Sequence, residues 1–189
     1  MRRERLTKDV LSHRYISRVG LKKSMTKKSL IFFPDPVLRK VSRSVETIDS
    51  DIIHLIEDMF EVMYSSDGIG LAAVQIGILY RVVVIDLNTK SPLVFINPTI
   101  VSSSNDCSVC EEGCLSIPNY RADVKRASFV TVKYLDSNAQ PQIIYADGLL
   151  ATCLQHEIDH LNGILFIDHI SRLKRDMIIN KLSKLVRNV

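Results

Sequence analysis

The sequence predicts an α+β fold, in which antiparallel or mixed β-sheets surround a central helix, with one helix before the sheets and one after them. Three observations support this class. Apolar residues recur at helical spacing after residue 50, four β-rich runs follow in series with few helical segments between them, and the motif H-E-x-x-H lies in a later helical segment. Successive strands without helical crossovers favour antiparallel pairing, since parallel strands need long connections.

The length and composition indicate a single domain, which we place at residues 29–189. The chain has 189 residues, of which 46% are hydrophobic and 24% are charged, as in ordinary soluble proteins. No stretch approaches the roughly 18 uncharged apolar residues that a membrane span requires. We therefore expect a soluble enzyme or binding protein that has no membrane contact.

Positive charge is concentrated in an N-terminal arm, residues 1–28. The arm holds ten of the 25 basic and two of the 21 acidic residues, so the remaining 15 basic and 19 acidic residues leave the body mildly acidic. This distribution argues against a direct nucleic-acid function. The arm lacks the apolar stretch of a secretory signal, and we interpret it as a disordered tail or a mis-assigned start before Met25. An organelle import signal and an ordered or RNA-contacting arm are the alternatives.

The first predicted helix covers about residues 50–65. Asp49 or Ser50 can cap its start, and the turn sequence SSDG at 65–68 ends it. Its apolar residues are interpreted as core residues, and they are Ile52, Leu55, Ile56, Met59, Phe60 and Met63.

Four β-rich runs follow this helix. Turn sequences such as DLNTKSP and DSNAQP separate them. The runs are RVVVID at 81–86, LVFI at 93–96, SFVTVKYL at 128–135 and QIIYA at 142–146.

Two further helices are predicted after the strands. Asp147 begins the second helix, which stops at Gly163, a common residue just past a helix end. The third helix runs from about Ser171 to the C-terminus and has a face rich in lysine and arginine. Its opposite side contains Leu173, Met177, Leu182 and Leu185, and we expect this side to dock either on the body of the protein or on a partner.

The second helix carries a candidate metal site. His156 and His160 are four residues apart, so their imidazoles share one face of the helix and can bind the same ion. Glu157 follows the first histidine, where it can act as a general base toward a water on the metal. By itself the pattern also fits an ordinary amphipathic helix with two histidines.

The third ligand has to come from another part of the chain. Phe166 occupies the position where one class of metalloprotease has its third histidine, which excludes that class. His169 and carboxylates are candidates, but thiols cluster in CSVCEEGCLSIPNY at 107–120. Cys114 lies next to Gly113, where the backbone can approach a ligand closely. One thiolate and two imidazoles leave a fourth coordination position open, as in catalytic sites.

Cys107 and Cys110 form a C-x-x-C pair in the same segment. Such a pair is typical of structural zinc sites and of redox sites, but no second pair at zinc-finger spacing accompanies it. We therefore interpret both as incidental thiols in a reducing compartment.

Three stretches, GIGLAAVQIG at 68–77, EGCLSIP at 112–118 and QHEIDHLNG at 155–163, resemble in this order the three motifs of peptide deformylases. The resemblance extends from about Ser29 to the C-terminal helix, and the long final helix resembles the bacterial-type branch. It implies an enzyme, a metal-dependent hydrolase that removes the formyl group from the N-terminal formyl-methionine of new polypeptides and releases formate.

The resemblance also implies catalytic roles for particular residues. Glu157 would be the general base that later protonates the leaving amine. Gln75 and the backbone N–H of Leu115 would donate hydrogen bonds to the oxyanion. The metal ligands would be Cys114, His156 and His160.

A substrate cleft is implied in the same way. Ile69 and Gly70 would pair with the backbone of the incoming peptide as an added strand, and Gly113 would line the other side. Ile158 would contribute to an apolar methionine pocket, and Arg121 would lie near the path of the peptide.

The cofactor implied by the resemblance is one divalent ion, Fe²⁺, with Zn²⁺, Ni²⁺ or Co²⁺ found in preparations. Cysteine and histidine suit all four metals, so the donors alone do not select one. The substrate is the nascent formyl-methionyl peptide, and a transient contact of the basic final helix with the ribosome is expected.

Three other interpretations fit parts of the sequence. Residues 68–73 match G-x-G-x-x-A and Asp86 follows, but a dinucleotide site needs a strand before the motif and a helix after it. A zinc peptidase with a different third ligand would cleave internal peptide bonds and would keep its metal without Cys114. The third interpretation is a binding module without catalysis, although the proposed ligands and Glu157 are all present.

Overall fold

The computed structural model describes residues 28–88 and 91–187. The predictions on the N-terminal arm therefore concern residues that lie, except for Lys28, outside the described part. The helices are α1 (Ser50–Ser65), α2 (Gly148–Leu161) and α3 (Arg172–Arg187). The strands are β1 (Gly70–Ala72), β2 (Val82–Ile85), β3 (Leu93–Ser103), β4 (Cys107–Cys114), β5 (Ile117–Ala127), β6 (Phe129–Leu135) and β7 (Pro141–Asp147).

Two antiparallel sheets make up the β-structure, which confirms the predicted α+β class. One has five strands in the order β1-β2-β3-β6-β7, and the other is the hairpin of β4 and β5. Within the five-stranded sheet, β2 is buried along its whole length, because the sheet is covered by helices there. An uninterrupted Val-Val-Val-Ile run is typical of a strand buried on both faces.

Helix α1 forms as predicted. The side chain of Asp49 accepts hydrogen bonds from the backbone N–H groups of Asp51 and Ile52 and so caps the helix. The predicted core residues are buried except Phe60, which is half-buried and stacks on Tyr64 with ring centroids 5.7 Å apart.

Helix α2 lies between the two sheets. It packs on β1, β2 and β7 of the large sheet and on β5 of the hairpin. Ten of its 14 residues are buried, including both histidines and Glu157. A helix that is buried on nearly all sides brings polar groups into a region of low dielectric constant, where their interactions are stronger.

The chain turns sharply after α2. Gly163 has a φ of +73°, and a Cβ at this position would collide with the backbone carbonyl group of Arg39. Arg39 also pairs with Asp168 in the following 3₁₀ turn, which spans Phe166–Asp168. This turn therefore packs against the segment that precedes α1.

Helix α3 docks on the body through residues that differ in part from the predicted side. Ile178 and Leu182 are buried in a cluster with Leu38 and Phe166, whereas Leu173 and Met177 are exposed. These two residues lie in solvent because docking along one stripe of a helix leaves the apolar residues beside that stripe uncovered. None of the helices in residues 28–88 and 91–187 is long and apolar enough to cross a membrane.

Candidate metal centre and active site

The structure brings Cys114, His156 and His160 together. One donor atom from each residue lies within 4.8 Å of the other two, and Cys114 Sγ is 3.2 Å from His160 Nε2. Cys114 ends β4, and the two histidines lie one turn apart on the face of α2 that meets the hairpin. His169, the sequence alternative for the third ligand, is not part of this cluster.

Each histidine has one ring nitrogen available for an ion. Nδ1 of His156 is 2.8 Å from Glu112 Oε2. An ionised carboxylate only accepts hydrogen bonds, so a hydrogen lies on Nδ1, and Nε2 is the ring nitrogen that remains for an ion. Burial lowers the pKa of His160 well below its usual value. Its ring is therefore neutral, and Nε2 faces the sulfur.

The donor set fits a single transition-metal ion. Zinc binds sulfur at about 2.3 Å and imidazole nitrogen at about 2.0 Å, so donors of one ion lie a few ångströms apart, as these do. A thiolate with two imidazoles suits iron, cobalt, nickel and zinc. A buried polar atom without a partner lies next to these donors, because Glu157 Oε2 has no hydrogen bond to any described residue.

Glu157 is buried beside this cluster. Burial raises the pKa of its carboxyl group to about 7. The other carboxylate oxygen, Oε1, lies against β1, where a Cβ on Gly70 would be 2.6 Å from it. Gly70, predicted as a residue that pairs with the peptide, therefore also makes room for the carboxyl group.

Gln75 points its amide nitrogen into the site. Its Oε1 accepts a hydrogen bond from the backbone N–H of Ala72 at 2.8 Å, which fixes the orientation of the amide. Nε2 is 3.2 Å from Ser116 Oγ and 3.6 Å from Cys114 Sγ. Leu115, next to Cys114, is half-buried and packs on the cluster around α1.

The predicted substrate residues differ in their burial and in the elements that carry them. Strand β1 lies at one edge of its sheet. Ile69 precedes it, and the Ile69 carbonyl group accepts a hydrogen bond from the N–H of Asp86 at 2.9 Å. Gly113 is opposite Arg121 in the hairpin register. The Arg121 side chain is 70% exposed, 3.5 Å from Glu111. Ile158 is buried in the core beneath the large sheet.

Sequence reasoning missed the partners of His156. Glu112 accepts its N–H, and Arg126 in turn donates to Glu112 at 2.7 Å and 3.1 Å. Strand periodicity offered a signal for Glu112, because residues two apart on a strand share a face and Glu112 is two before Cys114. Arg126 had no comparable signal, since only the folded hairpin brings it near.

Comparison with known proteins gives a consistent result. The sequence matches the Polypeptide deformylase family over residues 27–176. A peptide deformylase of Rhizobium meliloti (strain 1021) is 60% identical over 164 residues, which cover 85% of this chain and 94% of that protein. A peptide deformylase of Agrobacterium fabrum is 57% identical over 167 residues, which cover 86% of this chain and 98% of that protein.

Solved structures share the fold. A peptide deformylase from Legionella pneumophila superposes with a TM-score of 0.80 at 49% identity and covers 85% of this chain and 95% of its own. A peptide deformylase from Synechococcus elongatus, in complex with actinonin, superposes with a TM-score of 0.79 at 45% identity. The match covers 86% of this chain and 91% of that protein. On the strength of its three motifs, its fold and these matches, the chain belongs to the polypeptide deformylase family.

Proposed function

We propose that Cys114, His156 and His160 bind one divalent metal ion and that Glu157 transfers protons during hydrolysis. The observation that carries this proposal is the convergence of one sulfur and two ring nitrogens within 4.8 Å beside a buried carboxyl group. The chain is a metal-dependent hydrolase that removes the N-formyl group from new polypeptides and releases formate.

The metal would supply Lewis-acid chemistry, because a divalent ion polarises a carbonyl group and lowers the pKa of water. The protein presents the donors in the required form. Glu112 holds the hydrogen of His156 on Nδ1, at 2.8 Å, and leaves Nε2 free. The same contact fixes the direction in which the ring faces.

Glu157 has the environment of a group that gains and loses a proton near neutral pH. Burial raises the pKa of its carboxyl group to about 7, and general acid–base catalysis is most efficient when the pKa is close to the working pH. Its Oε2 takes a proton from water and afterwards gives it to the nitrogen of the leaving amine. The amine then leaves in its neutral form.

Gln75 and Leu115 stabilise the negative charge that develops on the formyl oxygen. The Gln75 carbonyl oxygen is bound by the N–H of Ala72, so the amide nitrogen is the end that faces the site and donates. The backbone N–H of Leu115 is the second donor. Donors that are fixed before the reaction are worth about 10²–10³ in rate each.

The formyl-methionyl peptide adds to the free edge of β1 as an extra strand, with Ile69 and Gly70 as its backbone partners. Gly113 lines the opposite side of the cleft, and Ile158 contributes to an apolar methionine pocket. Arg121 lies along the path of the following residues. The outermost position of β1 in its sheet supports this mode of binding.

The resident metal is proposed to be Fe²⁺, with Zn²⁺, Ni²⁺ and Co²⁺ as ions that can replace it in preparations. Iron(II) next to a thiolate oxidises readily, so activity should decay in air and persist under anaerobic conditions. Metal analysis after anaerobic purification measures the resident ion. Activity that is stable in air in protein containing only iron would contradict this assignment.

Residues 29–189 are proposed to act as a monomeric domain in the bacterial cytoplasm. A transient contact with the ribosome would use the basic side of α3, where Lys174, Lys181 and Lys184 are not buried. Pelleting with ribosomes should fall as salt increases, since contacts with phosphate are salt-dependent. Absent or salt-insensitive pelleting would contradict this contact.

The central test is formate release from a formyl-Met peptide by the wild type and by Glu157→Ala. Loss of the proton-transfer group should reduce turnover by about 10²–10⁴, with metal content unchanged. Glu57→Ala removes an exposed carboxyl group from α1 and serves as the control. Equal turnover in Glu157→Ala and the wild type would refute the proposed mechanism.

A further inference from the structure

A series of polar contacts leads away from the proposed metal site through Arg126. Its guanidinium group donates to both oxygens of Glu112, at 2.7 Å from Nε and 3.1 Å from Nη2. On its other side, Nη1 donates to Asp159 Oδ2 at 2.5 Å. The side chains of Arg126 and Glu112 are 5% and 4% exposed, and that of Asp159 is 18% exposed. A buried cation thus lies between two carboxylates.

His169 ends this series near the surface. Its Nε2 is 2.7 Å from Asp159 Oδ2, and the carboxylate only accepts, so the hydrogen lies on Nε2. The same nitrogen is 3.3 Å from Arg126 Nη1. Two donors lie this close because they share one acceptor oxygen. His169 directly follows the turn that Asp168 ties to Arg39, which holds the imidazole in place.

We propose that Asp159 and His169 are positioning residues for the metal site. They hold the guanidinium group of Arg126 against Glu112, and Glu112 holds Nδ1 of His156. The inference rests on the proposed role of His156 as a metal ligand. Asp159 and His169 are neither metal donors nor proton-transfer groups in that proposed function.

The physical reason is the pairing of a buried charge. Asp159 neutralises the side of the guanidinium group that faces away from Glu112, and a buried cation needs acceptors around it. Without that carboxylate, Nη1 of Arg126 would lose its strong acceptor. The guanidinium group would then turn toward the solvent that reaches position 159. Its two hydrogen bonds to Glu112 would lengthen, and Glu112 would no longer be fixed under the His156 ring.

His169 acts one step further out. By donating to the same oxygen that Arg126 uses, it holds the Asp159 carboxylate in the direction of the guanidinium group. Removal of the imidazole would leave this oxygen free to rotate toward water. The effect on the metal site should therefore have the same direction as that of Asp159 but be smaller.

The test uses the full-length protein loaded with Co²⁺, whose visible d–d absorption reports coordination geometry. The Co²⁺ dissociation constant is measured by competition with a chelator. Loss of a partner in the outer shell of a metal site weakens metal binding by about 10–100-fold. We expect a weakening of about tenfold and a shift of the d–d bands in Asp159→Asn, and a smaller change of both in His169→Leu.

Two further variants separate positioning from general stability. His169→Gln keeps a side-chain N–H that can reach Asp159, so it should bind Co²⁺ nearly as the wild type does. His54→Leu makes the same chemical change as His169→Leu at an exposed position of α1 and should leave affinity and spectrum unchanged. A role in stability alone would lower the unfolding temperature without shifting the d–d bands.

The outcomes also distinguish this proposal from the proposed function. Wild-type affinity and d–d bands in both Asp159→Asn and His169→Leu would overturn the positioning role. If Asp159→Asn does not fold, equal behaviour of His169→Leu and the wild type has the same meaning. Wild-type protein that releases no formate, or that binds Co²⁺ without a thiolate charge-transfer band, would instead contradict the proposed function.

Discussion

At the scale of single residues, Gly70 decides where the Glu157 carboxyl group can lie. A Cβ at this position would be 2.6 Å from Glu157 Oε1 and 2.7 Å from Cys153 Sγ. Both atoms are at the ends of side chains that can move. The consequence of a larger residue would therefore be a displaced carboxyl group within an intact fold.

Gly70→Ala should lower formate release far more than it lowers stability. Displacement of a reacting group by about 1 Å can cost about 10²-fold in rate, and we expect a loss of roughly 10–100-fold in turnover. Thermal unfolding and the Co²⁺ spectrum should stay close to those of the wild type, because the three atoms nearest to the new methyl group belong to Glu157 and Cys153 and not to the ligands. Wild-type turnover in Gly70→Ala would show that this glycine does not set the position of Glu157.

The sequence indicates the candidate metal ligands and Glu157 but not the residues that support them. His156, Glu157 and His160 follow from helical spacing, and Cys114 follows from a motif because no local period connects it with a helix 42 residues later. Arg126 and Asp159 could not be predicted in this way. A salt bridge across 33 residues depends on the hairpin and α2 being packed together, and no local pattern reports that contact.

At the scale of elements, the chain leaves α2 through a turn that only glycine fits. Gly163 has φ +73°, and a Cβ there would also collide with the backbone of Arg39. Gly148, at the start of the same helix, has φ +51° but no atom within 4 Å of the position of a Cβ. An alanine at residue 148 would therefore test the backbone conformation alone. An alanine at residue 163 would test the same conformation together with the collision.

Gly163→Ala should be clearly more destabilising than Gly148→Ala. A left-handed conformation costs an alanine about 1–2 kcal/mol relative to glycine, and this is the whole effect expected at residue 148. At residue 163 the collision with backbone adds to it, and we expect more than about 2 kcal/mol. Chemical denaturation of the two variants measures the difference, and equal losses would contradict the role given to the Arg39 contact.

Whether an element could be predicted from the sequence depends on the residues that it contains. Helix α1 has apolar residues at regular helical spacing and a capping aspartate, so both its type and its bounds were predictable. The hairpin was not predicted as a pair of strands, because β4 reads CSVCEEGC and has one β-branched residue. Its strands form because pairing with β5 and packing under α2 outweigh a low β-propensity.

The contact between the turn after α2 and the segment before α1 should depend on pH. Partial burial by itself would raise the pKa of Asp168, but hydrogen bonds from Arg39 and from the N–H of Leu165 lower this pKa below its usual value. A carboxyl group whose pKa is lower in the folded state stabilises the fold above the pKa of the unfolded chain, and the gain is lost as pH falls through the folded pKa.

Asp168→Asn should therefore be less stable than the wild type at pH 7 and more nearly equal to it at low pH. We expect a difference of about 1 kcal/mol at pH 7, because the pair is partly exposed and screened by solvent. The difference should shrink as the pH is lowered below about 4. Denaturation curves at a series of pH values measure it, and a difference that grew toward acid pH would contradict the sign.

At the scale of the whole molecule, the proposed metal ligands come from two elements, the β4–β5 hairpin and α2, which also contact each other directly. Cys114 ends β4 of the two-stranded sheet, whereas the histidines belong to a helix that packs on the five-stranded sheet. An ion bound by all three residues would add a further link between the hairpin and α2. Stability and metal binding should for this reason be coupled.

Removal of the metal should lower the unfolding temperature, and Cys114→Ala should abolish this dependence. A ligand that binds only the folded state stabilises it by about 4 kcal/mol when its free concentration is 1,000 times the dissociation constant. Unfolding of the wild type is measured with added metal and with a chelator, and the shift between them gives the coupling. Cys107→Ala removes an exposed thiol from the same strand and should keep the full shift. If chelation removed the metal from the wild type without changing its unfolding temperature, the ion would not link the hairpin to α2.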